Sequence, residues 1–438
     1  MTAKNIQEKS PENLPTELNW EMTKEKCDDR PLRICLLSYR SNPHCGGQGV
    51  YVKNLSRALC GLGHEVEVVS GPPLPMLDNG ARLSCLQSLD LYNPAALFRT
   101  PSLKELADPV NLMEWLGVST MGFPEPFTFG VRAWQYLKNR FGRYDIVHDN
   151  QSLSYGVWAI KTRIPAIATI HHPITVDRDI AVQSVRSLWK KLKHRRWYSF
   201  IGMQIRVARK FSHIITVSEC TRADISREFG IPAGRFRVVP NGIDTGIFHP
   251  VPEIQREKNR IIVTNSADMP LKGLYYLLQA VAELVKTRDI RLVIIGTPKK
   301  DGGVVRLIRD LGIGAHVQFT GRISDEEFVH QYARASAAVV PSVYEGFGLP
   351  AGEAMACGVP VISTTGGALP EVVGDAGLLV PPADPAALTK AVTDLLDHPE
   401  KAAQLGQAGY DRVQRHFTWE QAARKTVNAY REAIRDYL

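Results

Sequence analysis

Short apolar runs alternate with segments of helical period along the first half of the chain. The buried-strand run LRICLLSY is followed by the loop RSNPHCGGQG, the helical segment VYVKNLSRALCGLG and the strand run HEVEVVSG. The runs YDIVHDN, PAIATIHH and HIITVSE continue the series. Strands that alternate with helices pair in parallel, with the helices on the faces of the sheet, so this half is predicted to be an α/β domain.

A second α/β series follows a stretch rich in turn residues and charge, FRVVPNGIDTGIFHPVPEIQREKN. It contains the strand runs RIIVTNS, RLVIIG, HVQFTG, AAVVPS and AGLLVPP, with helical segments between them. Two facing α/β domains leave a cleft at the carboxyl ends of their strands, where open sheets bind ligands. The predicted organisation is a flexible extension over 1–30, an N-terminal Rossmann-like domain over 31–247, a C-terminal Rossmann-like domain over 248–419 and a last amphipathic helix, about 420–438, that packs back on the first domain.

One stretch of the N-terminal half, Leu86 to Asn139, lacks the regular alternation and contains GFPEPFTFG. Its pattern is more typical of an insertion beside a binding cleft than of a sheet element. It is therefore predicted to contribute to the rim of the cleft.

Composition places the chain among globular proteins of reducing compartments. Of its 438 residues, 44% are hydrophobic and 22% are charged, and no run approaches the roughly 18 apolar residues of a membrane span. The seven cysteines are scattered and form no CxxC pair, which argues against a disulfide framework or a zinc site. The N-terminal stretch has no apolar core of the signal-peptide kind, so a cytoplasmic protein is expected.

The most informative stretch for chemistry is SVYEGFGLPAGEAMACGVPVISTTGG, from Ser342 to Gly367. It joins a strand to a short helix, and Gly346 and Gly348 let the backbone bend sharply and approach a ligand. Amide groups at a helix N-terminus form an anion site. The expected phosphate donors are the amides of Phe347, Gly348 and Leu349.

The same stretch carries two carboxylates, Glu345 and Glu353. One explanation is structural, because a carboxylate near a helix N-terminus interacts favourably with the helix dipole. The other is a ligand that carries both phosphates and vicinal hydroxyls, such as a nucleotide sugar, since carboxylates accept hydrogen bonds from hydroxyls. From the residues alone, both explanations stay open.

The segment EGFGLPAGE, with its E-x7-E spacing, resembles the retaining glycosyltransferases of family four, the group 1 enzymes with the two-domain GT-B fold. The segments VSECTRADI, VVPNGIDTGIF, PLKGLYYLLQAVAEL and FTGRISDEE match other motifs of that family in order. The resemblance extends from about Leu32 to the C-terminus. It implies that a hexosyl unit moves from a nucleoside diphosphate sugar to an acceptor hydroxyl, with a front-face mechanism and no cofactor or metal.

The resemblance also implies roles for residues of the C-terminal half. Glu345 matches the acid near the donor sugar, and Glu353 matches the residue that binds the ribose hydroxyls. Lys272, in MPLKG, matches the lysine that binds the donor diphosphate. The nucleotide base is expected near Arg322 and Ile323, largely through backbone contacts.

In the N-terminal half, the resemblance points to two places. GGQG, with Gly46, Gly47 and Gly49, is similar to the glycine loop that faces the phosphates and the acceptor. By itself it is not GxGxxG and fits an ordinary strand-to-helix turn equally well. His171, in ATIHH, matches the histidine near the reacting sugar, although His172 leaves that assignment open by one position. A histidine at a strand end can also be a purely structural residue.

One position departs from the family pattern. The family usually carries an arginine five or six residues before the lysine, where this chain has Ser266 and Ala267. Without that arginine, the diphosphate loses a partner that can form two hydrogen bonds. Either another cation such as Arg322 compensates, or the donor is held differently, or activity is weak. A catalytically impaired nucleotide-sugar sensor or scaffold is therefore the alternative function. A dinucleotide oxidoreductase is disfavoured, because no GxGxxG follows the first strand.

The net charge of +8 is concentrated in one segment, Ala181 to Ser218, which has nine Lys or Arg and no Asp or Glu. Apolar positions from Phe200 to Phe211 recur at helical spacing, which favours a core-facing helix with a solvated basic back. Alternatively, a basic helix with aromatic residues lies peripherally on an anionic inner membrane face, as a lipid-linked or cell-envelope glycan acceptor would require. Nucleic acid is a weaker candidate, because no recognition motif accompanies the charge. The expected membrane or acceptor contacts are Trp189, Lys190, Lys191, Lys193, Arg195, Arg196 and Trp197.

Overall fold

The computed structural model of the protein describes residues 30–43, 46–264 and 269–438. The predicted extension over 1–30 lies outside the described residues, apart from Arg30. Leu32–Leu438 forms a compact unit and contains two parallel sheets.

A seven-stranded sheet organises the N-terminal half. Its order is β3-β2-β1-β4-β5-β6-β7, and every pairing is parallel. The order reverses between β1 and β4, so the loops after these two strands diverge and open a crevice at the carboxyl edge. The strands are β1 (Arg33–Ser38), β2 (Glu65–Ser70), β3 (Arg82–Cys85), β4 (Ile146–Asn150), β5 (Ala166–Ile170), β6 (Ile214–Thr216) and β7 (Phe236–Val238).

Helices cover this sheet and form the rim of the cleft. They are α1 (Gly47–Gly61), α2 (Leu103–Leu106), α3 (Pro109–Ser119), α4 (Glu125–Leu137), α5 (Tyr155–Lys161), α6 (Ile174–Gln183), α7 (Leu188–Trp197), α8 (Ile201–Ala208) and α9 (Glu219–Phe229). Within the predicted insertion, α4 is part of the core, since Phe129, Ala133 and Leu137 are buried. α3 is more exposed and buries only Val110 and Glu114.

The basic segment folds into two helices of different character. α8 buries Ile201, Val207 and Ala208, as the helical spacing of its apolar residues predicts. In contrast, α7 has no buried residue. The core-facing helix and the basic surface are thus consecutive helices rather than two faces of one.

A six-stranded parallel sheet organises the C-terminal half in the order β10-β9-β8-β11-β12-β13. Its strands are β8 (Arg260–Thr264), β9 (Arg291–Ile295), β10 (Val317–Phe319), β11 (Ala337–Val340), β12 (Val361–Thr364) and β13 (Leu378–Val380). The helices are α10 (Leu274–Leu284), α11 (Gly303–Asp310), α12 (Asp325–Arg334), α13 (Leu349–Ala356), α14 (Leu369–Val373), α15 (Pro385–Asp397), α16 (Pro399–His416) and α17 (Trp419–Arg435). The prediction of two Rossmann-like α/β domains is confirmed.

The last helix, α17, packs against the N-terminal half. Trp419 and Tyr430 are buried there, and the Trp419 ring meets Tyr51 of α1 edge-on at 5.8 Å. The Tyr430 hydroxyl lies 2.6 Å from Nδ1 of His148, which is on β4. Burial of each of these aromatic side chains contributes on the order of 2 kcal/mol, so α17 ties the C-terminal end of the chain firmly to the first sheet.

Candidate functional site

An ion pair lies at the carboxyl edge of the C-terminal sheet, in the loop between β11 and α13. One oxygen of Glu345, Oε1, accepts hydrogen bonds from Lys272 Nζ and from Ser342 Oγ, each at 2.7 Å. The Glu345 side chain is only 11% exposed, whereas Lys272 is 30% exposed. The pair is therefore partly shielded from solvent, and its charges act more strongly than those of a surface pair.

Backbone contacts explain why Lys272 meets Glu345. Lys272 ends a tight turn, Pro270–Lys272, and the Leu271 carbonyl of that turn accepts a hydrogen bond from the Val343 amide at 2.7 Å. Gly273 then begins α10 with a left-handed φ of 67°. Its missing side chain matters, because a Cβ there would overlap the Pro341 carbonyl. The lysine turn and the β11–α13 loop are thus held together by the protein's own backbone.

Gly348 fixes the start of α13. It has a left-handed φ of 104°, and a Cβ at this position would lie 2.6 Å from the Leu369 side chain. The ring of Phe347 is buried and meets Phe417 edge-on at 5.7 Å, so Phe347 can serve a ligand only through its backbone. Leu349 is the first residue of α13. The predicted phosphate-binding amides therefore belong to a rigid turn at a helix N-terminus.

Glu353 lies in the second turn of α13, and no hydrogen-bond partner for its carboxylate lies among the described residues. Burial raises its pKa to about 7, Asp325 raises this pKa further, and Lys272 opposes the shift. Such a carboxylate is poorly solvated and gains from hydroxyl donors that a ligand supplies.

The remaining donor-side positions lie at the same end of the sheet. Arg322 is exposed in the loop after β10, and Ile323 packs partly against the C-terminal core. No ion pair of Arg322 lies within the described part of the chain, so its charge is available to an anion. Ser266 and Ala267, where the family has an arginine, lie outside the described residues.

Two histidines of the N-terminal half lie against the β11–α13 loop. A Cβ on Gly346 would lie 2.5 Å from the His171 carbonyl oxygen and 3.1 Å from the His172 Cβ. The His171 ring is held 2.7 Å from Asn150 Oδ1, and burial, with help from His172 and His148, lowers its pKa to about 3. His172 instead hydrogen-bonds the Asp177 carboxylate at 2.7 Å. His171 is therefore a neutral imidazole, oriented by Asn150.

The glycine loop before α1 lies next to His171. Asn150 donates to the Gln48 carbonyl at 3.5 Å, and the Tyr51 ring of α1 meets the His171 ring edge-on at 4.7 Å. Of the three glycines, only Gly49 is crowded, because a Cβ there would overlap the Asn42 backbone. Gly46 has a φ of 150°, and an added Cβ at Gly46 or Gly47 would meet no described atom within 4 Å.

The basic helix α7 is largely exposed. Trp189 is 60% exposed, and Lys190, Lys193 and Arg195 are exposed beside it. The other three expected contact residues are less accessible to a partner. Lys191 is partly buried, and Arg196 donates hydrogen bonds to Thr120 and Ser199. The Trp197 ring stacks on Phe123 at 5.2 Å. Within residues 30–43, 46–264 and 269–438, no helix has the length and apolarity needed to cross a bilayer.

Comparisons with known proteins identify the family. A model described as Glycosyl transferases group 1 matches residues 248–412, and one described as Glycosyltransferase Family 4 matches residues 45–246. The chain is 47% identical over 408 residues to an MMP alpha-(1->4)-mannosyltransferase of Mycolicibacterium hassiacum, with 92% of this chain and 98% of the relative covered. The chain belongs to the group 1 glycosyltransferases.

Solved structures confirm the GT-B fold of this glycosyltransferase. A sucrose-phosphate synthase from Thermosynechococcus elongatus is 26% identical and superposes with a TM-score of 0.70, over 92% of this chain and 98% of the other. Anabaena HepE in complex with UDP and glucose is 16% identical, with a TM-score of 0.65 over 91% and 98% of the two chains, and shows a similar fold. The predicted fold class and the prediction of a sugar-transferring enzyme are both confirmed.

The two halves of the glycosyltransferase are joined at the β11–α13 loop by residues that sequence reasoning missed. The Gly346 carbonyl accepts hydrogen bonds from Ser218 Oγ at 2.8 Å and from Thr221 Oγ1 at 3.0 Å. Both hydroxyls belong to the VSECTRADI segment, which carried the family resemblance as a whole. The segment alone did not indicate the roles of these two hydroxyls, because Gly346 lies 128 residues from Ser218 and 125 residues from Thr221 along the chain.

A second contact between the halves involves the N-terminus of α9. The Glu371 carboxylate of α14 accepts hydrogen bonds from the amides of Glu219 at 2.8 Å and Cys220 at 2.7 Å. Burial raises the pKa of Glu371, and the two amide hydrogen bonds oppose that shift. The Tyr344 hydroxyl also donates to Asp224 of α9 at 2.8 Å. The two halves of the glycosyltransferase therefore contact each other at the β11–α13 loop and at the N-terminus of α9.

Proposed function

We propose that this glycosyltransferase moves an α-mannosyl unit from a nucleoside diphosphate mannose to a hydroxyl of a mannoside acceptor, with retention of configuration. The sugar and the linkage come from the 47% identity to the M. hassiacum mannosyltransferase. The observation that carries the reaction is the Lys272–Glu345 pair at 2.7 Å. Glu353, whose carboxylate has no hydrogen-bond partner among the described residues, lies on the helix that follows.

In this proposal the donor diphosphate lies between Lys272 and the amides that begin α13. A cation and preorganised amides stabilise negative charge as it develops on the leaving phosphate. Glu353 accepts hydrogen bonds from the ribose hydroxyls, which repay the cost of its burial. Arg322 supplies a further cation toward the phosphates, in place of the arginine that the family usually has.

The transfer itself breaks the bond between the anomeric carbon and the phosphate oxygen and forms a bond between that carbon and the acceptor oxygen. In a front-face reaction the acceptor proton passes to the leaving phosphate oxygen, so the protein supplies mainly position and charge. Glu345, held by Lys272 and Ser342, stabilises the positive charge that develops on the sugar. The neutral ring of His171 hydrogen-bonds a sugar hydroxyl without adding charge.

The acceptor is proposed to be a lipid-linked or cell-envelope glycan, reached by peripheral binding of α7 to an anionic membrane surface. The support is the exposure of Trp189 together with Lys190, Lys193 and Arg195. Co-sedimentation with phosphatidylglycerol vesicles is expected at low salt and is expected to weaken as salt screens the charges. Absence of binding at every salt concentration would reject this part of the proposal.

The main experiment incubates the purified protein with guanosine, uridine and adenosine diphosphate mannose and glucose, with α-1,4-linked mannosides as acceptors. One diphosphate mannose is expected to support transfer, and proton NMR of the product should show the α anomer. Activity is expected to survive a metal chelator. Donor binding without turnover for every acceptor would instead support the sensor or scaffold alternative, and a β-linked product would reject retention.

A further inference from the structure

A cavity of about 700 Å³ opens in the N-terminal half, and its wall contains none of the donor-side residues described above. Aromatic and other apolar side chains form most of its wall, among them Tyr92, Phe98, Trp115, Met121, Trp197 and Tyr198. They come from the chain between β3 and α2, from α3 and the turn after it, and from α7 with the residue that follows it. Its volume falls in the range of about 300–1,000 Å³ that is typical of small-molecule sites.

Packing behind the cavity holds its wall in place. The Trp197 ring stacks on Phe123 at 5.2 Å with an interplanar angle of 26°, and it meets Tyr92 edge-on at 5.4 Å. Tyr92 in turn donates from its hydroxyl to the Gly122 carbonyl at 2.9 Å. Rings that contact one another in this way lose little further freedom when a ligand binds, so the cavity is preformed.

The charges of the wall select the kind of ligand. Three basic side chains line the cavity, and no carboxylate or carboxamide side chain is among its described lining residues. Arg99 is paired with Glu105 at 2.6 Å, whereas no ion pair of Lys193 or His194 lies within the described part of the chain. For a sugar chain the wall offers few hydrogen-bond acceptors, chiefly the hydroxyls of Ser119 and Tyr198, and most of its surface is aromatic or aliphatic. An apolar group with a negative charge fits it better.

The surface around the opening is also apolar. Ten of the nineteen large apolar side chains that the described residues expose lie in just two segments, 97–121 and 188–192. Leu188 is 80% exposed and Trp189 60%, and the Lys193 ammonium lies 5.8 Å from the Trp189 ring. Exposed apolar patches of this kind mark binding sites rather than ordinary surface, and here the Lys193 ammonium group lies beside the patch.

We propose that this aromatic cavity binds the hydrocarbon chain of an anionic amphiphile. The chain lies against Trp115, Trp197 and Phe98, and the anionic head group meets Lys193 and His194 at the rim. The proposal concerns binding alone and does not depend on which sugar the enzyme transfers. The amphiphile can come from a bilayer or be a free molecule, and the experiment separates these sources.

The test titrates the full-length protein by calorimetry with octyl, decyl and dodecyl phosphate, each below its micelle concentration. If the chain enters the cavity, affinity is expected to rise about fourfold for each added methylene, because each one leaves water. An affinity that does not depend on chain length would overturn the proposal. So would binding to phosphatidylglycerol vesicles without binding to any monomeric alkyl phosphate, since that result assigns the region to a membrane surface alone.

Two variants locate the site. Ala181→Phe fills the cavity from α6 and is expected to abolish binding of dodecyl phosphate, while Lys193→Glu is expected to weaken it at least about fivefold. Lys390→Glu reverses the charge of an exposed lysine on α15 and serves as the matched control with unchanged binding. Thermal melting verifies that each variant is folded. Unchanged affinity in folded Ala181→Phe, or displacement of dodecyl phosphate by a neutral mannose oligosaccharide, would contradict the proposal.

Discussion

Two glycine-bearing loops border the same cleft, and they are built differently. In the β11–α13 loop and its neighbour, Gly346, Gly348 and Gly367 are all crowded: added Cβ atoms would meet the His171 carbonyl, the Leu369 side chain and the Glu345 backbone. In the loop before α1, added Cβ atoms at Gly46 and Gly47 would meet no described atom within 4 Å. The first loop is shaped by packing against neighbouring backbone and side chains. At Gly46 and Gly47 of the second loop, the described residues leave room for a side chain, although Gly49 is crowded by the Asn42 backbone.

The largest effect is expected from Glu345→Gln, which removes the charge at the centre of the crowded loop. Glutamine has nearly the same size as glutamate and can still form hydrogen bonds. The variant loses the ion pair with Lys272 and the negative charge that faces the positive charge developing on the sugar. Transfer is expected to fall about 100-fold or more. Turnover is measured with the wild-type donor and acceptor, and circular dichroism checks the fold. Turnover within threefold of wild type would remove Glu345 from the proposed mechanism.

The comparison is tested most directly by the pair Gly346→Ala and Gly47→Ala. Gly346→Ala pushes the loop away from the His171 carbonyl, so we expect a loss of about 1–3 kcal/mol in unfolding free energy and a loss of at least about tenfold in transfer. At Gly47 the described residues leave space for the added methyl group, so Gly47→Ala serves as the control for stability and its unfolding free energy should change little. Denaturant unfolding and initial rates measure both. Equal damage in the two variants would show that crowding does not distinguish the loops.

A smaller effect, with a distinct pH signature, is expected at Glu353. Its pKa of about 7 means that the carboxyl group is protonated below pH 7 and ionised above it. Only the ionised carboxylate accepts hydrogen bonds from both ribose hydroxyls, so affinity for the nucleoside diphosphate should rise with pH. Below pH 7 the affinity should rise by at most about tenfold per pH unit, and above pH 8 it should become constant. Calorimetry from pH 5.5 to 8.5 measures this. Glu353→Gln should bind more weakly and lose this rise, and a rise that persists in Glu353→Gln would point to another group.

The smallest effect is expected from the contact between the halves. Thr221→Val removes one of the two hydroxyls that hold the Gly346 carbonyl, with little change in side-chain volume. Thr221 Oγ1 also accepts a hydrogen bond from Ser218 Oγ at 2.8 Å, so up to two hydrogen bonds are lost. Each is worth about 0.5–1.5 kcal/mol net, so kcat/KM should fall at least about twofold. Thr389→Val, on α15, removes a hydroxyl that contacts Pro385 and serves as the control. A loss as large as that of Glu345→Gln would mean that closure, rather than charge, dominates catalysis.

Much of the fold could be predicted because the relevant patterns are local. The strands β1 and β5 are short, mostly apolar runs whose side chains are buried on both faces of the sheet, and the helices of this half have apolar residues at the spacing of one face. The hydrophobic pattern predicted the structure less accurately where packing against neighbouring elements decides it. α4 lay inside a stretch interpreted as an insertion, yet it packs into the core, and the basic segment divides into α7 and α8.

The sequence by itself determined the family, the two α/β domains and the residue types of the donor side, because Glu345, Glu353 and the adjacent glycines form one continuous motif. Only the tertiary structure decided which groups meet. Lys272 reaches Glu345 across 73 residues, and the cavity wall combines residues from the first rim segment with residues from α7. Contacts between distant segments depend on how whole elements pack, and no local pattern encodes that packing. The same reason explains why the hydroxyls of Ser218 and Thr221 acquired a role only when the two halves were seen together.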